Sequence, residues 1–373
     1  MHGVTVERVK QLITDSGLGQ AEFAAKVGLD GSKMSKSLAG VRRFTSLDLA
    51  RIADMGATTV DWLLGADKPV PAVAARAAAQ VATSQDVAIE EAGRLSQLWS
   101  DLSYLGYAQG RVSLEPVPKT GRCVDQGRKL AAVARRRAGD ERVNAWEVRD
   151  LAPLVEDVFG IDVRIMSLPD GFEGLSWTDD LCGLMVVGSS ELPSRQRFTI
   201  AHELGHLLAG DDQGLHLDGS LDDAAHKRKP SEMRANAFAA EFLLPGDVLT
   251  RQVRDMVWTD RSFAELACRL LVSPATLAWR LFNLDLIDRG SCAAFARMRA
   301  WDAATLAGRT DSFAEWVASA SQPRVPLPLM RTMLRAYRDG QATLRPLAGL
   351  LGMDTTLLRQ AMGLSREDSP LSS

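Results

Sequence analysis

The chain has little of what marks secreted, membrane-spanning or broadly nucleic-acid-coating proteins. Four cysteines occur in 373 residues, Cys123, Cys182, Cys268 and Cys292. They stand far apart and form no C-x-x-C pair, so they read as reduced, mostly buried thiols rather than a disulfide framework. No apolar run approaches the roughly 18 residues of a membrane span, and no apolar core with a cleavage site follows the N-terminus. The formal net charge is only −3 and the pI about 6.0, so no global basic field favours nucleic acid, and any DNA contact must come from a local patch. These absences predict a soluble, cytoplasmic protein without a membrane partner. With 46% hydrophobic residues the chain can bury a core, and its length suggests two or three domains.

Punctuation over residues 4–64 predicts five short helices. Val4, Val9, Leu12 and Ile13 give the first an apolar stripe. Gln20 to Val27 forms the second, with Phe23, Ala24 and Val27 inward and Gly28 closing it. A turn over 28–31 leads to a third helix with Ser32 as N-cap. Segments near Ser46–Met55 and Thr59–Leu64 complete the module. Gln20-Ala21-Glu22-Phe23-Ala24-Ala25-Lys26-Val27-Gly28-Leu29 resembles the second helix and turn of the Cro/cI-type (XRE) helix-turn-helix domain. The resemblance implies that the helix from Ser32 to Leu38 enters the major groove of an operator, with Ser32, Lys33 and Lys36 as groove contacts. Arg42 and Arg43 are the candidates for phosphates, and Gln20 sits at a helix N-terminus beside the backbone.

From Ala66 to Val87 the chain is alanine-rich with two prolines and reads as a linker. Leu95, Leu98, Trp99, Leu102 and Leu105 then recur at helical spacing. A helix packed on the following domain is favoured over a dimer seam, although a homodimer would suit a module that reads two half-sites.

The most specific stretch is His202-Glu203-Leu204-Gly205-His206, which holds two of the chain's five histidines. Four residues apart on a helix, both imidazoles project from one face, as a tetrahedral zinc requires of nitrogen ligands. Glu203 can then reach a water in the open position. Short strands are predicted over 161–166, 174–177 and 183–187, ahead of a helix over 195–209 with Phe198, Ile200, Ala201, Leu204, Leu207 and Leu208 on its buried side. A peptide substrate is expected to add beside the strand 183–187.

Catalytic zinc usually takes three protein ligands. The metzincin extension requires glycine at position 209, where this chain has alanine, yet Asp212 and His216 remain possible donors. Glu232, in the first turn of an alanine-rich helix ended by Pro245, is the preferred third ligand. Glu241 lies nine positions on, about 180° around that helix, and reads as a structural carboxylate. The residues between, 211–230, are expected to form a loop rimming the cleft. His216 and His226 read as loop histidines, with His226 also a candidate to polarise a substrate carbonyl.

Arg195 to His206, followed by Glu232-x-x-Ala235-Asn236-x-Phe238-Ala239-Ala240-x-x-Leu243-Leu244-Pro245, resembles the ImmA/IrrE family of metallo-endopeptidases. The resemblance implies that His202, His206 and Glu232 bind one Zn2+ and that Glu203 is the catalytic base. Beyond it, two segments (262–284 and 344–362) have helix-turn-helix rhythm, with a further helix near Pro328–Arg338.

The expected fold class is mainly α with a small sheet (α+β). A five-helix DNA-binding domain is expected over 1–65, a linker and connecting helix over 66–110, a zincin-like peptidase domain over 111–255, and a helical region with HTH-like segments over 256–373. The expected function is a DNA-binding transcriptional regulator whose endopeptidase cleaves a repressor-type protein, or itself. The alternative is a transcription factor that uses the same fold as a ligand or metal sensor without turnover.

Overall fold

A computed structural model describes residues 2–56, 63, 84–112, 120–168, 172–211, 215–217 and 229–363. It is mainly helical with one small sheet, an α+β chain as its pattern predicts. Among the described residues no helix is long and apolar enough to cross a membrane. The chain divides into two units, Met1–Gly93 and Arg94–Ser373.

In the first unit, α1 (His2–Asp15), α2 (Gln20–Lys26), α3 (Gly31–Leu38) and α4 (Ser46–Met55) surround a core of Val9, Phe23, Ala24, Val27, Leu29, Met34, Leu49 and Ile52. Val4, expected in the apolar stripe of α1, is exposed. Gly28 closes α2 at φ 67°, a left-handed turn that costs glycine nothing. Asp30, not Ser32, caps α3: its carboxylate accepts from the backbone amides of Ser32 and Lys33. Aspartate and serine are both good caps, and the tight turn after Gly28 brings the earlier of the two to the helix end. Of the predicted fifth helix only Leu63 lies within the described residues, and it is buried in this core. The predicted linker from Ala66 falls outside them as far as residue 83.

The connecting helix α5 is Ser84–Tyr104. Its Leu95, Trp99 and Leu102 are buried. Trp99 Nε1 donates to Asp162 Oδ2, and Ser96 Oγ donates to Asp179 Oδ2 at 2.7 Å. The face read as packed on the following domain is therefore packed there.

The second unit continues with α6 (Cys123–Asp140), a 3-10 turn (Ala145–Glu147) and α7 (Leu151–Phe159), then β1 (Asp162–Met166), β2 (Gly174–Thr178) and β3 (Gly183–Gly188). Next come α8 (Pro193–Ala209), β4 (Leu215–Leu217) and α9 (Pro230–Leu243). The sheet order is β1-β3-β2-β4, with β1 parallel to β3 and the other pairs antiparallel. Two expectations fail here. The strand at 183–188 is interior, its hydrogen bonds already taken by β1 and β2, so no peptide can add beside it. The residues read as a loop from 211 to 230 contain β4, which forms one edge of the sheet.

Met185 and Val187 of β3 join Val163 and Ile165 of β1 in a core with Ile200, Ala201 and Leu204 of α8. Phe159, Phe238 and Phe242 fill its centre, the last two stacked at 5.4 Å between ring centroids. This core runs on through α10 (Gly246–Gln252), α11 (Asp260–Arg269), α12 (Pro274–Asn283) and α13 (Arg289–Phe295). Thr259 and Ser262 form a capping box at α11, and Ser273 caps α12. The chain then adds α14 (Ala300–Leu306), α15 (Thr310–Ala320), α16 (Leu327–Arg338), α17 (Arg345–Leu351) and α18 (Thr355–Ala361).

Between α15 and α16 the chain returns to the sheet. Ile165 and Arg324 exchange backbone hydrogen bonds at 2.9 and 2.8 Å, covering the outer edge of β1. The Arg324 guanidinium pairs with the buried Glu156 carboxylate, at 2.7 Å for one bond and 2.5 Å for the other. Gln196 of α8 donates to the Ala320 carbonyl at 2.9 Å. All four cysteines are free, with Cys182 and Cys292 buried. Burial and then the nearby Asp179 push the Cys182 thiol up to about 12.

Candidate metal centre

The α8 helix starts at Pro193, whose fixed φ suits a first turn, and stops at Gly210, left-handed at φ 60°. Over its last two turns the polar side chains are as buried as the apolar ones: Glu203 and His206 are 0% exposed and His202 is 1% exposed. Such burial requires specific partners, because an uncompensated polar group in a protein interior is costly.

The partner is α9. Gly205 makes the crossing possible: a Cβ there would lie 3.0 Å from the Phe238 ring and 3.3 Å from Ala235 Cα. With glycine on one helix and alanine on the other, the axes approach closely enough for Glu232, 1% exposed, to face both histidines. Glu232 Oε2 lies 3.3 Å from His202 Nε2, and its Oε1 lies 3.4 Å from His206 Nε2. The two imidazole Nε2 atoms are 3.1 Å apart.

Three donors with these separations fit one ion. In a tetrahedron with bonds of about 2.0–2.1 Å, donors sit about 3.3–3.4 Å from each other. Among the described residues this is the group of three side chains placed to hold a metal. Two neutral nitrogens and one carboxylate oxygen are a donor set that suits zinc.

Glu203 points elsewhere, towards the start of β2. A Cβ on Gly174 would meet Glu203 Oε1 at 3.1 Å and Thr199 at 2.9 Å, so the strand fits against the carboxylate only because residue 174 has no side chain. Glu241, read as structural, is so: it pairs with Arg280 and accepts from the Gly246 amide at 3.2 Å.

Residues 156–282 match the Peptidase M78 family, described as the IrrE N-terminal-like domain. This stretch is similar to the IrrE N-terminal-like domain. The chain is 32% identical over 144 residues to the radiation response metalloprotease IrrE of Deinococcus radiodurans, covering 37% of this chain and 42% of that protein. To the radiation response metalloprotease IrrE of Deinococcus deserti it is 33% identical over 134 residues, covering 36% of this chain and 47% of that protein. It therefore spans somewhat less than half the length of these relatives.

Within the matched stretch, Asp211, expected only as the start of the loop over 211–230, lies at the candidate site. Its Oδ2 lies 3.5 Å from His206 Nδ1, and Arg234 binds both of its oxygens, Nε at 3.2 Å. Burial opposes the Asp211 carboxylate, but the His206 hydrogen bond and Arg234 outweigh it and hold its pKa below the usual carboxylate range. A carboxylate at Nδ1 fixes the tautomer that leaves Nε2 free to act as a ligand. The signal available in the sequence was an acid directly after the C-cap glycine of the histidine helix. Asp212 and His226 lie outside the described residues, as does the side chain of His216.

The candidate DNA contacts lie in the first unit. Gln20, Ser32, Lys33, Lys36 and Arg43 are exposed, while Met34 and Ser37 are the buried side of α3. Arg42 differs. Its guanidinium turns inward, 2.9 Å from Asp48 Oδ2 and 3.1 Å from Ser37 Oγ, and so ties the end of α3 to α4.

Proposed function

We propose that the chain is a DNA-binding regulator carrying a zinc-dependent endopeptidase that cleaves a repressor-type protein or the chain itself. The observation that carries the enzymatic part is the spacing of His202, His206 and Glu232, which matches the edges of a zinc tetrahedron. Three protein donors among the described residues also favour a catalytic over a closed structural site. When bound, zinc supplies Lewis acidity that polarises a scissile carbonyl and acidifies a water.

The chain's own residues do the rest. Glu203 takes the proton from the attacking water and passes it to the leaving amide nitrogen. Asp211 keeps the His206 proton on Nδ1, and Arg234 holds Asp211 ionised. The close packing of Gly174 holds the Glu203 side chain in one place, so the base does not have to be ordered at each turnover.

On the DNA side, the reading rests on α2 and α3 meeting at the left-handed Gly28, with Lys33 and Lys36 exposed on α3. Ser32, Lys33 and Lys36 address the groove, and Arg43 and Gln20 the backbone. Arg42 supports them by fixing the turn after α3. The deciding test incubates the full chain with zinc and repressor proteins encoded beside its own gene, using Glu203→Gln as control. Cleavage by the parent alone is expected, and equal cleavage by both proteins would sink the assignment. Intact mass of the parent without substrate reports self-cleavage in the same experiment.

A further inference from the structure

A cavity of about 670 Å³ opens beside the C-terminal end of α8. Its volume suits a small organic molecule. Half-buried Tyr107, Leu181, Leu207 and Leu208 supply an apolar wall, while Arg111 and Arg234 add two cations against one acid, Asp180. None of His202, Glu203, His206 or Glu232 lines it. The cavity is thus separate from the candidate metal centre, but Arg234 belongs to both surroundings. Its Nη1 donates to Gln126 Oε1 at 3.0 Å, and its other nitrogens bind Asp211, which in turn faces His206. These bonds engage three of the five N–H groups of a guanidinium, leaving donors for a further acceptor.

We propose that this cavity is a regulatory site for a small organic anion with an aromatic or branched apolar body, and that its occupation is felt at the metal centre through Arg234 and Asp211. The apolar body lies against Tyr107 and Leu208, and the acidic group meets Arg234 and Arg111. An anion that shares Arg234 leaves more of the Asp211 charge for the His206 Nδ1 proton, which makes Nε2 a better donor. Occupation therefore tightens zinc, and by reciprocity zinc tightens the anion. The coupling rests on the metal centre proposed above; the anion site itself does not.

The test uses the full chain and two fluorescent probes of one body: anilinonaphthalene sulfonate and its uncharged parent, phenylnaphthylamine. Expected are one-to-one binding of the sulfonate, about tenfold or more weaker binding of the uncharged dye, and loss of both in Ser103→Trp, which fills the cavity from the exposed face of α5. Arg234→Gln, checked for folding by near-ultraviolet circular dichroism, should erase the preference for the charged dye. Saturating zinc should lower the sulfonate dissociation constant about fivefold.

Equal affinity for the two dyes, or undiminished binding in Ser103→Trp, overturns the anion site. A dissociation constant indifferent to zinc, in protein that binds zinc, overturns the coupling. Zinc titration without dye reports on the metal centre alone. If no zinc binds, that reading falls, while the dye comparisons still decide the anion site.

Discussion

The histidine helix and the third helix of the N-terminal unit carry their candidate functional residues in opposite ways. In α8 the polar groups point inward, and their geometry is imposed by a neighbouring helix, a strand and a carboxylate just past the helix end. In α3, Met34, Ser37 and the half-buried Leu38 face the core, and Ser32, Lys33 and Lys36 extend into solvent. A buried constellation is fixed before any ligand arrives, because packing leaves each side chain few alternatives. An exposed one takes its order from its partner, and the fold supplies only a rigid platform. Substitutions should therefore act through chemistry and stability in the first region, and through salt-dependent affinity in the second.

The largest effect should come from Glu203→Gln. It should lower peptide hydrolysis by about 10²–10⁴-fold while metal analysis still finds zinc bound, since the amide keeps the shape and removes only the base. Loss of zinc together with activity would place Glu203 among the ligands instead.

Next in size is a stability effect at Asp162, fully buried at the head of β1. Desolvation, opposed by the Trp99 hydrogen bond and reinforced by Glu156, pushes its carboxyl up to about 7. The native state thus holds a proton that the unfolded chain releases near pH 4. The stabilisation is full below that pH and is lost as pH rises through about 7, a span worth about 4 kcal/mol at roughly 1.4 kcal/mol per unit. Asp162→Asn should flatten this part of the pH profile in denaturant unfolding and be the more stable protein at pH 8. Parallel profiles for the two proteins would refute the assignment.

Asp211→Asn should weaken zinc binding by about 10–100-fold, measured by competition with a chelator. A lower melting temperature is also expected without metal, because Arg234 loses the charge of its buried partner. The smallest effect should be that of Arg43→Ala, which leaves thermal stability within about 0.5 kcal/mol. It should reduce the slope of log affinity against log salt for operator DNA by about 0.9. An unchanged slope would remove Arg43 from the phosphate environment.

The legible parts of the fold are those with a local period. The α4 bounds and the start of α2 follow from helical spacing and caps, and counting turns shows that Glu232 and Glu241 cannot both face the histidines. What was not legible depends on pairing across the chain. Nothing within residues 183–188 says that strands will cover both of its edges, because a run of buried apolar residues looks the same in any sheet position. Three residues suffice for β4, too few to show alternation. The helices from Arg289 to Ala320 carry no functional signal and went unread. Asp211 escaped for a different reason: residues that orient ligands come from wherever the chain passes nearby, and no fixed spacing announces them.

The return of residues 320–327 to the sheet gives the domain a physical extent larger than its ancestry. The family match ends at residue 282, but Arg324 is the cation opposite buried Glu156 and the backbone that caps β1. A fragment cut at the end of the homologous stretch would bury an acid without its counter-ion and expose a strand edge able to recruit other chains. The stretch that matches the family and the unit that folds are therefore different lengths here, and the later helices act as part of the scaffold behind the candidate metal centre rather than as an appendage.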